Sequence, residues 1–145
     1  MPGRVDLASF GEFRAGILRH IGMEERVVFP AARRARGFKL AIEAGLRADH
    51  GAIAALLVPS PTVARVAQIR SFLEAHNRRE EQPGGAYDAC DSAVGAAEAE
   101  RLVQELRGFP DVPLKPYRDG EAVLRHIEAT LELARRQWLE RAGGP

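Results

Sequence analysis

Apolar residues recur along this chain at three- and four-residue intervals, the period of an amphipathic helix. Nowhere do they alternate with polar residues and β-branched enrichment, as a half-buried strand requires. Phe10, Phe13, Ile17, Met23 and Val27 form the first series, and Ser9 and Glu12 stand before it at capping-box spacing. This predicts a helix that begins near Ser9, with Pro30 bending or ending it. The basic run Arg33-Arg34-Ala35-Arg36-Gly37 closes the segment as a solvated helix end. A second helix is predicted from about Phe38 to Leu57, with Ile42, Leu46, Ile53 and Leu57 as its stripe. Pro59 and Pro61 stop it, and Ser60-Pro61 is expected to open a third helix that carries Val66, Ile69, Phe72 and Leu73 to about Glu81. After the break at Pro83-Gly84-Gly85, residues 86–108 read as one shorter helical segment with Leu102, Val103 and Leu106 on its apolar side. Residues 109–117 contain three prolines and predict an extended connection. Asp119 is expected to cap a last helix from about Gly120 to Arg141, with Val123, Ile127, Leu131 and Leu133 facing inward.

The pattern predicts an all-α fold. Its expected form is an antiparallel four-helix bundle with an additional shorter helical segment between the third and last long helices. At 145 residues the chain fits a single domain, 1–145, large enough to bury a core without staples. Charge narrows the partners. A net charge of +1 gives no electrostatic case for nucleic acid or an anionic membrane surface. The longest clean apolar run, Ala52 to Val58, is far too short to span a bilayer, and the first residues show no apolar signal region. A single cysteine, Cys90, rules out an internal disulfide and any zinc site built on several thiolates. Cys90 reads as a small buried hydrophobe, and a reducing cytoplasm is the expected location.

The candidate chemistry lies in the four histidines. His20, His50, His76 and His126 each fall on a different predicted long helix and inside its apolar stripe. Two of them have a glutamate four residues on, His20 with Glu24 and His76 with Glu80, which places each pair on one helical face. A single histidine on an apolar face is more often a hydrogen-bonded core residue, and a single His-xxx-Glu pair is more often a surface salt bridge. The joint pattern is different, because every histidine in the chain takes part and no helix contributes two. Buried carboxylates are costly unless paired or bound to metal. Imidazole nitrogen and carboxylate oxygen suit iron, manganese or zinc, and bundle cores with inward Glu and His side chains can hold two metal ions. The expected metal ligands are therefore His20, Glu24, His50, His76, Glu80 and His126. The adjacent Glu25 and Glu81 are expected to face solvent or support the ligands.

At these residues the sequence resembles the hemerythrin-like, HHE cation-binding family. The matching stretches are Leu18 to Glu25 leading to Phe29-Pro30, then Asp49-His50, then His76 to Glu81. The likeness is good over about residues 10–90 and looser beyond. The family usually runs as a lone His, a His-xxx-Glu, a lone His and a second His-xxx-Glu. This chain begins with a His-xxx-Glu and ends with the lone His126, a circularly permuted order. The resemblance implies a non-haem diiron protein, with two carboxylate-bridged iron ions, that binds or senses oxygen, nitric oxide or iron. With four histidines where oxygen carriers use five, it also implies a coordination position for water, oxygen, nitric oxide or peroxide. A diiron enzyme acting on peroxide or nitric oxide, and a DinB-like mononuclear metal bundle, are the competing readings. Either tyrosine, Tyr87 or Tyr117, could tune a bound ligand. Monomer and homodimer are both compatible with the sequence.

Overall fold

The computed structural model describes residues 3–142, and these contain helices and connections but no strand. The expected all-α class is thus observed, in a bundle-like arrangement. Its first element, α1 (Leu7–Met23), runs without a break into a π-helical segment (Glu24–Val28) and then into α2 (Phe29–Arg36). Asp6, not Ser9, caps α1, accepting from the backbone N–H of Ala8 and Ser9 and from the Ser9 hydroxyl. Pro30 does not end this helix. The Phe29 N–H reaches back five residues to the Glu24 carbonyl, so the turn before the proline is wide. A wide turn shifts the carbonyl that a proline ring would otherwise strike, and the helix continues. It ends at Gly37, whose φ of 82° is the left-handed geometry that favours glycine.

The second long helix, α3 (Glu43–Leu56), starts later than the periodicity suggests and lies at the centre of the molecule. It buries residues on most of its circumference, including Gly45, Leu46, Asp49, His50, Ala52, Ile53, Ala55 and Leu56. The fourth helix, α4 (Val63–Glu81), is capped by Thr62 rather than Ser60. The segment expected as one helix is two, α5 (Ala86–Ala93) and α6 (Ala96–Arg107), parted at Val94-Gly95. Residues 109–119 are irregular, as their prolines require, and are tied down from α1. Arg14 donates to the Lys115 carbonyl at 2.8 Å, and Arg19 donates to the Phe109 carbonyl. Asp119 does not cap the last helix, α7 (Glu121–Ala142). Its carboxylate instead accepts from the Ser60 backbone and hydroxyl, pinning the connection to the start of α4.

Two apolar clusters form along the helix axes. One joins Phe10, Ile53, Leu56, Leu57, Ile69, Val123 and Ile127. The other joins Phe29, Ala32, Leu40, Leu46, Ala86 and Cys90. Each fully buried leucine or isoleucine here contributes about 1.5–3 kcal/mol. Cys90 is the buried small hydrophobe expected, and burial pushes its thiol up to about 11, so it stays protonated. Helix α7 packs along α3. At that contact a side chain on Gly45 would meet the Trp138 ring carbons at 2.7 Å. Gly45→Ala should therefore cost about 1–3 kcal/mol by overpacking. Denaturant melts would report the loss. The emission of Trp138, the single tryptophan, should shift with it. Among the described residues no helix is long and apolar enough to cross a membrane.

Candidate metal centre

Between the two apolar clusters the helices carry a polar layer. On α3 it falls between Leu46 and Ile53, and on the first helix between Ile21 and Phe29. Glu24 comes from the π segment, His50 from α3, and His76 and Glu80 from α4. Their side chains are almost wholly buried, each residue at 1–2% exposure. One potential ligand atom from each of these four lies within 4.8 Å of all the others, so the group could hold a metal ion. The His50 and His76 rings meet edge to face at 4.9 Å, and Phe29 stacks on His50 from the other side.

Each buried imidazole is held by a carboxylate on its far nitrogen. His50 Nδ1 lies 3.0 Å from Glu25 Oε1, and His76 Nδ1 lies 2.9 Å from Asp49 Oδ2. Donation from Nδ1–H turns Nε2 to the centre, which is how carboxylates orient metal-binding histidines. Asp49 is itself held by the Trp138 indole N–H at 2.8 Å and by Arg79 at 2.9 Å. The Arg79 guanidinium lies over the Trp138 ring. The π segment explains how two successive glutamates serve one ring. Glu25 Oε1 contacts His50 Nδ1, while Glu24 Oε2 stands 4.0 Å from His50 Nε2.

Several inward atoms make no hydrogen bond of good geometry: Glu24 Oε2, His50 Nε2 and Glu80 Oε2, and also Glu24 Oε1, which His20 Nε2 approaches at 2.6 Å. Native interiors rarely leave such atoms unpaired, and a cation would satisfy all of them at once. Protonation tells the same story. Burial and the neighbouring Glu80 push the Glu24 carboxyl up to about 7. Burial works against ionised Glu80, but the contacts with His76 and Glu24 outweigh it and hold its carboxyl low, at about 2. Burial likewise works against a charged His76, yet Asp49 and Glu80 lift it to about 9. Without metal at neutral pH, therefore, His76 is charged and Glu24 is about half protonated, and a cation would displace both protons.

His20 stands at the outer edge of the group. Its Nε2 is 2.6 Å from Glu24 Oε1 while its side chain is half exposed, and the Glu24 carboxylate raises its pKa. Tyr87, on α5, is also at this edge. Its hydroxyl is 3.2 Å from His20 Nε2 and donates to Glu80 Oε1 at 3.3 Å. Burial raises the Tyr87 pKa. Tyr117 is elsewhere, packed under Arg14 and beside Phe10.

Of the six expected ligands, the structure brings together Glu24, His50, His76 and Glu80, with His20 in contact at the rim. It does not bring in His126, which is exposed on α7 and outside the group. Of the two stripe residues that bracket it, Val123, three before, is buried, but Leu133, seven after, is 52% exposed. The buried positions of α7 are Val123, Ile127 and Ala134, a line that leaves residues 126 and 133 on the solvent side. What α7 supplies instead is Trp138. Sequence reasoning missed Trp138, Arg79 and the supporting role of Asp49. The adjacency of Asp49 to His50 was the only local signal. Glu25 contacts His50 Nδ1, and Glu81 is exposed. No family model matches the chain, and no curated protein or solved structure does either.

Proposed function

We propose that this chain is a hemerythrin-like, non-haem diiron protein that binds or senses a small diatomic ligand, oxygen or nitric oxide. In this reading α1 with its π segment, α3, α4 and α7 form an antiparallel four-helix bundle around the centre. The observation that carries it is the set of buried, unpartnered oxygen and nitrogen atoms converging from three elements, with both buried imidazoles oriented by carboxylates. His50 and His76 would hold one ion and His20 the other, with Glu24 and Glu80 between them. Glu24 fits a bridging task, since Oε1 faces His20 and Oε2 faces His50. Iron bound there would supply redox chemistry and open coordination positions toward oxygen, nitric oxide or peroxide. The exposed rim at His20 gives a small ligand its approach, and the apolar layers on both sides keep bulk water out.

A second reading has a specific observation in its favour. Glu24, His50, His76 and Glu80 alone form a complete four-ligand group, which fits one ion in a mononuclear centre. Metal content per chain after anaerobic loading with ferrous iron separates the two. Two irons per chain support the diiron reading, one supports the mononuclear centre, and none overturns both. The His126→Ala variant should retain the full metal content, since its side chain faces solvent. Loaded protein that changes its absorption on exposure to oxygen or nitric oxide supports ligand binding. Consumption of peroxide or nitric oxide beyond that of free iron would instead make it an enzyme.

A further inference from the structure

We propose that Tyr87 is a metal ligand, coordinating through its phenolate oxygen on the His20 side of the centre. The inference rests on the diiron reading and completes it, because the His20 side is short of protein ligands once His126 is on the surface.

The geometry begins with the turn that delivers the tyrosine. Gly84 takes a φ of 77°, and any side chain on Gly85 would meet the Arg79 carbonyl at 2.6 Å. This tight glycine turn folds α5 back across the end of α4. Ala86 and Cys90 then anchor α5 in the second apolar cluster, so the Tyr87 ring between them is held in place. Its hydroxyl arrives where the ends of Glu24, His20 and Glu80 already meet. Glu24 Oε1 to His20 Nε2 is 2.6 Å, His20 Nε2 to Tyr87 Oη is 3.2 Å, and Tyr87 Oη to Glu80 Oε1 is 3.3 Å. Ligands bonded at about 2.0–2.2 Å around one six-coordinate ion stand roughly 3 Å from their neighbours. Each of the three consecutive contacts is close to the separation of adjacent ligands on one ion, and Tyr87 Oη is the atom that bridges the gap between His20 and Glu80.

Charge points the same way. Imidazoles bring no negative charge, so two ferric ions would face only the carboxylates of Glu24 and Glu80. A phenolate adds a third anion in a buried setting where each counter-charge matters. Coordination forms a metal–oxygen bond and releases the phenolic proton to solvent at the His20 rim; no electron moves. A phenol that served only as a hydrogen-bond donor to Glu80 would keep its proton and leave no mark on the metal.

The test is spectroscopic. The full chain is loaded with iron, oxidised, and measured by visible absorption and resonance Raman. Tyrosine bound to ferric iron gives a visible charge-transfer band and resonance-enhanced phenolate ring vibrations. Both should be present in the parent and in Tyr117→Phe, and absent in Tyr87→Phe. Metal affinity should fall in Tyr87→Phe and stay unchanged in Tyr117→Phe. Iron bound without phenolate vibrations in the parent would overturn the ligand role of Tyr87 and leave the metal centre standing. Failure to bind iron at all would overturn both. The parent spectrum decides the question even if Tyr87→Phe folds poorly.

Discussion

Exchanging Asp49 for alanine should lower folding stability by about 3–5 kcal/mol, a large share of the 5–15 kcal/mol typical of such a domain. The Asp49 carboxylate is completely buried, and both of its oxygens are engaged. It sits on α3 and holds His76 and Arg79 of α4 and Trp138 of α7, so one side chain ties three helices together. Removing it leaves the indole N–H and the imidazole Nδ1–H without an acceptor, each costing about 1–3 kcal/mol. Arg79 is less affected, because its side chain is 30% exposed and can turn to water. Urea unfolding of the metal-free chain measures the effect. Asp49→Asn, which keeps an acceptor oxygen, should lose less. A change under about 1 kcal/mol for the alanine variant would show that the three contacts do little for the fold. Metal affinity should also fall by roughly 10–100-fold, because His76 would lose the group that orients it.

The second large effect concerns His76 itself. In His76→Ala the centre loses the imidazole that faces Glu80 at 3.1 Å, and metal binding should be abolished at concentrations that saturate the parent. At a free metal concentration about a hundred times the dissociation constant, the parent gains about 2.7 kcal/mol from binding. For a chain of this size that corresponds to a rise in melting temperature of roughly 5–10 °C. The variant should show no metal-dependent rise, and its melting curve should be the same with and without chelator. This comparison separates loss of metal from loss of packing, since packing is lost equally in both conditions. A variant that still shifts with metal would show that the ion does not depend on His76.

The sequence carried the centre further than it carried the fold's details, for a physical reason. A pair at i, i+4 shares a helix face whatever surrounds it, so the inward glutamates of the His20 and His76 helices were legible locally. His50 was legible because its neighbours Leu46 and Ile53 are both fully buried. His126 was not, because the rotation of α7 is set by Trp138 packing on Gly45, a contact ninety-odd residues apart in the chain. Tyr87 and Asp49 depend in the same way on where one helix end meets another. Pro30 misled on different grounds. The rule that proline ends a helix assumes an α-helical ladder behind it, and here the ladder is π-helical.

That single wide turn has a consequence for how the chain can vary. Upstream of it α1 contributes Phe10 to the first apolar cluster, and downstream α2 contributes Phe29 and Ala32 to the second. The five-residue step at Glu24–Val28 sets the phase between those two faces. Losing one residue there would not merely shorten the helix. It would turn everything on one side by about 100° relative to the other, taking either Phe10 or Phe29 out of its cluster. The π turn is thus a fixed point for insertions and deletions. Length changes are not tolerable within the five residues that begin with Glu24.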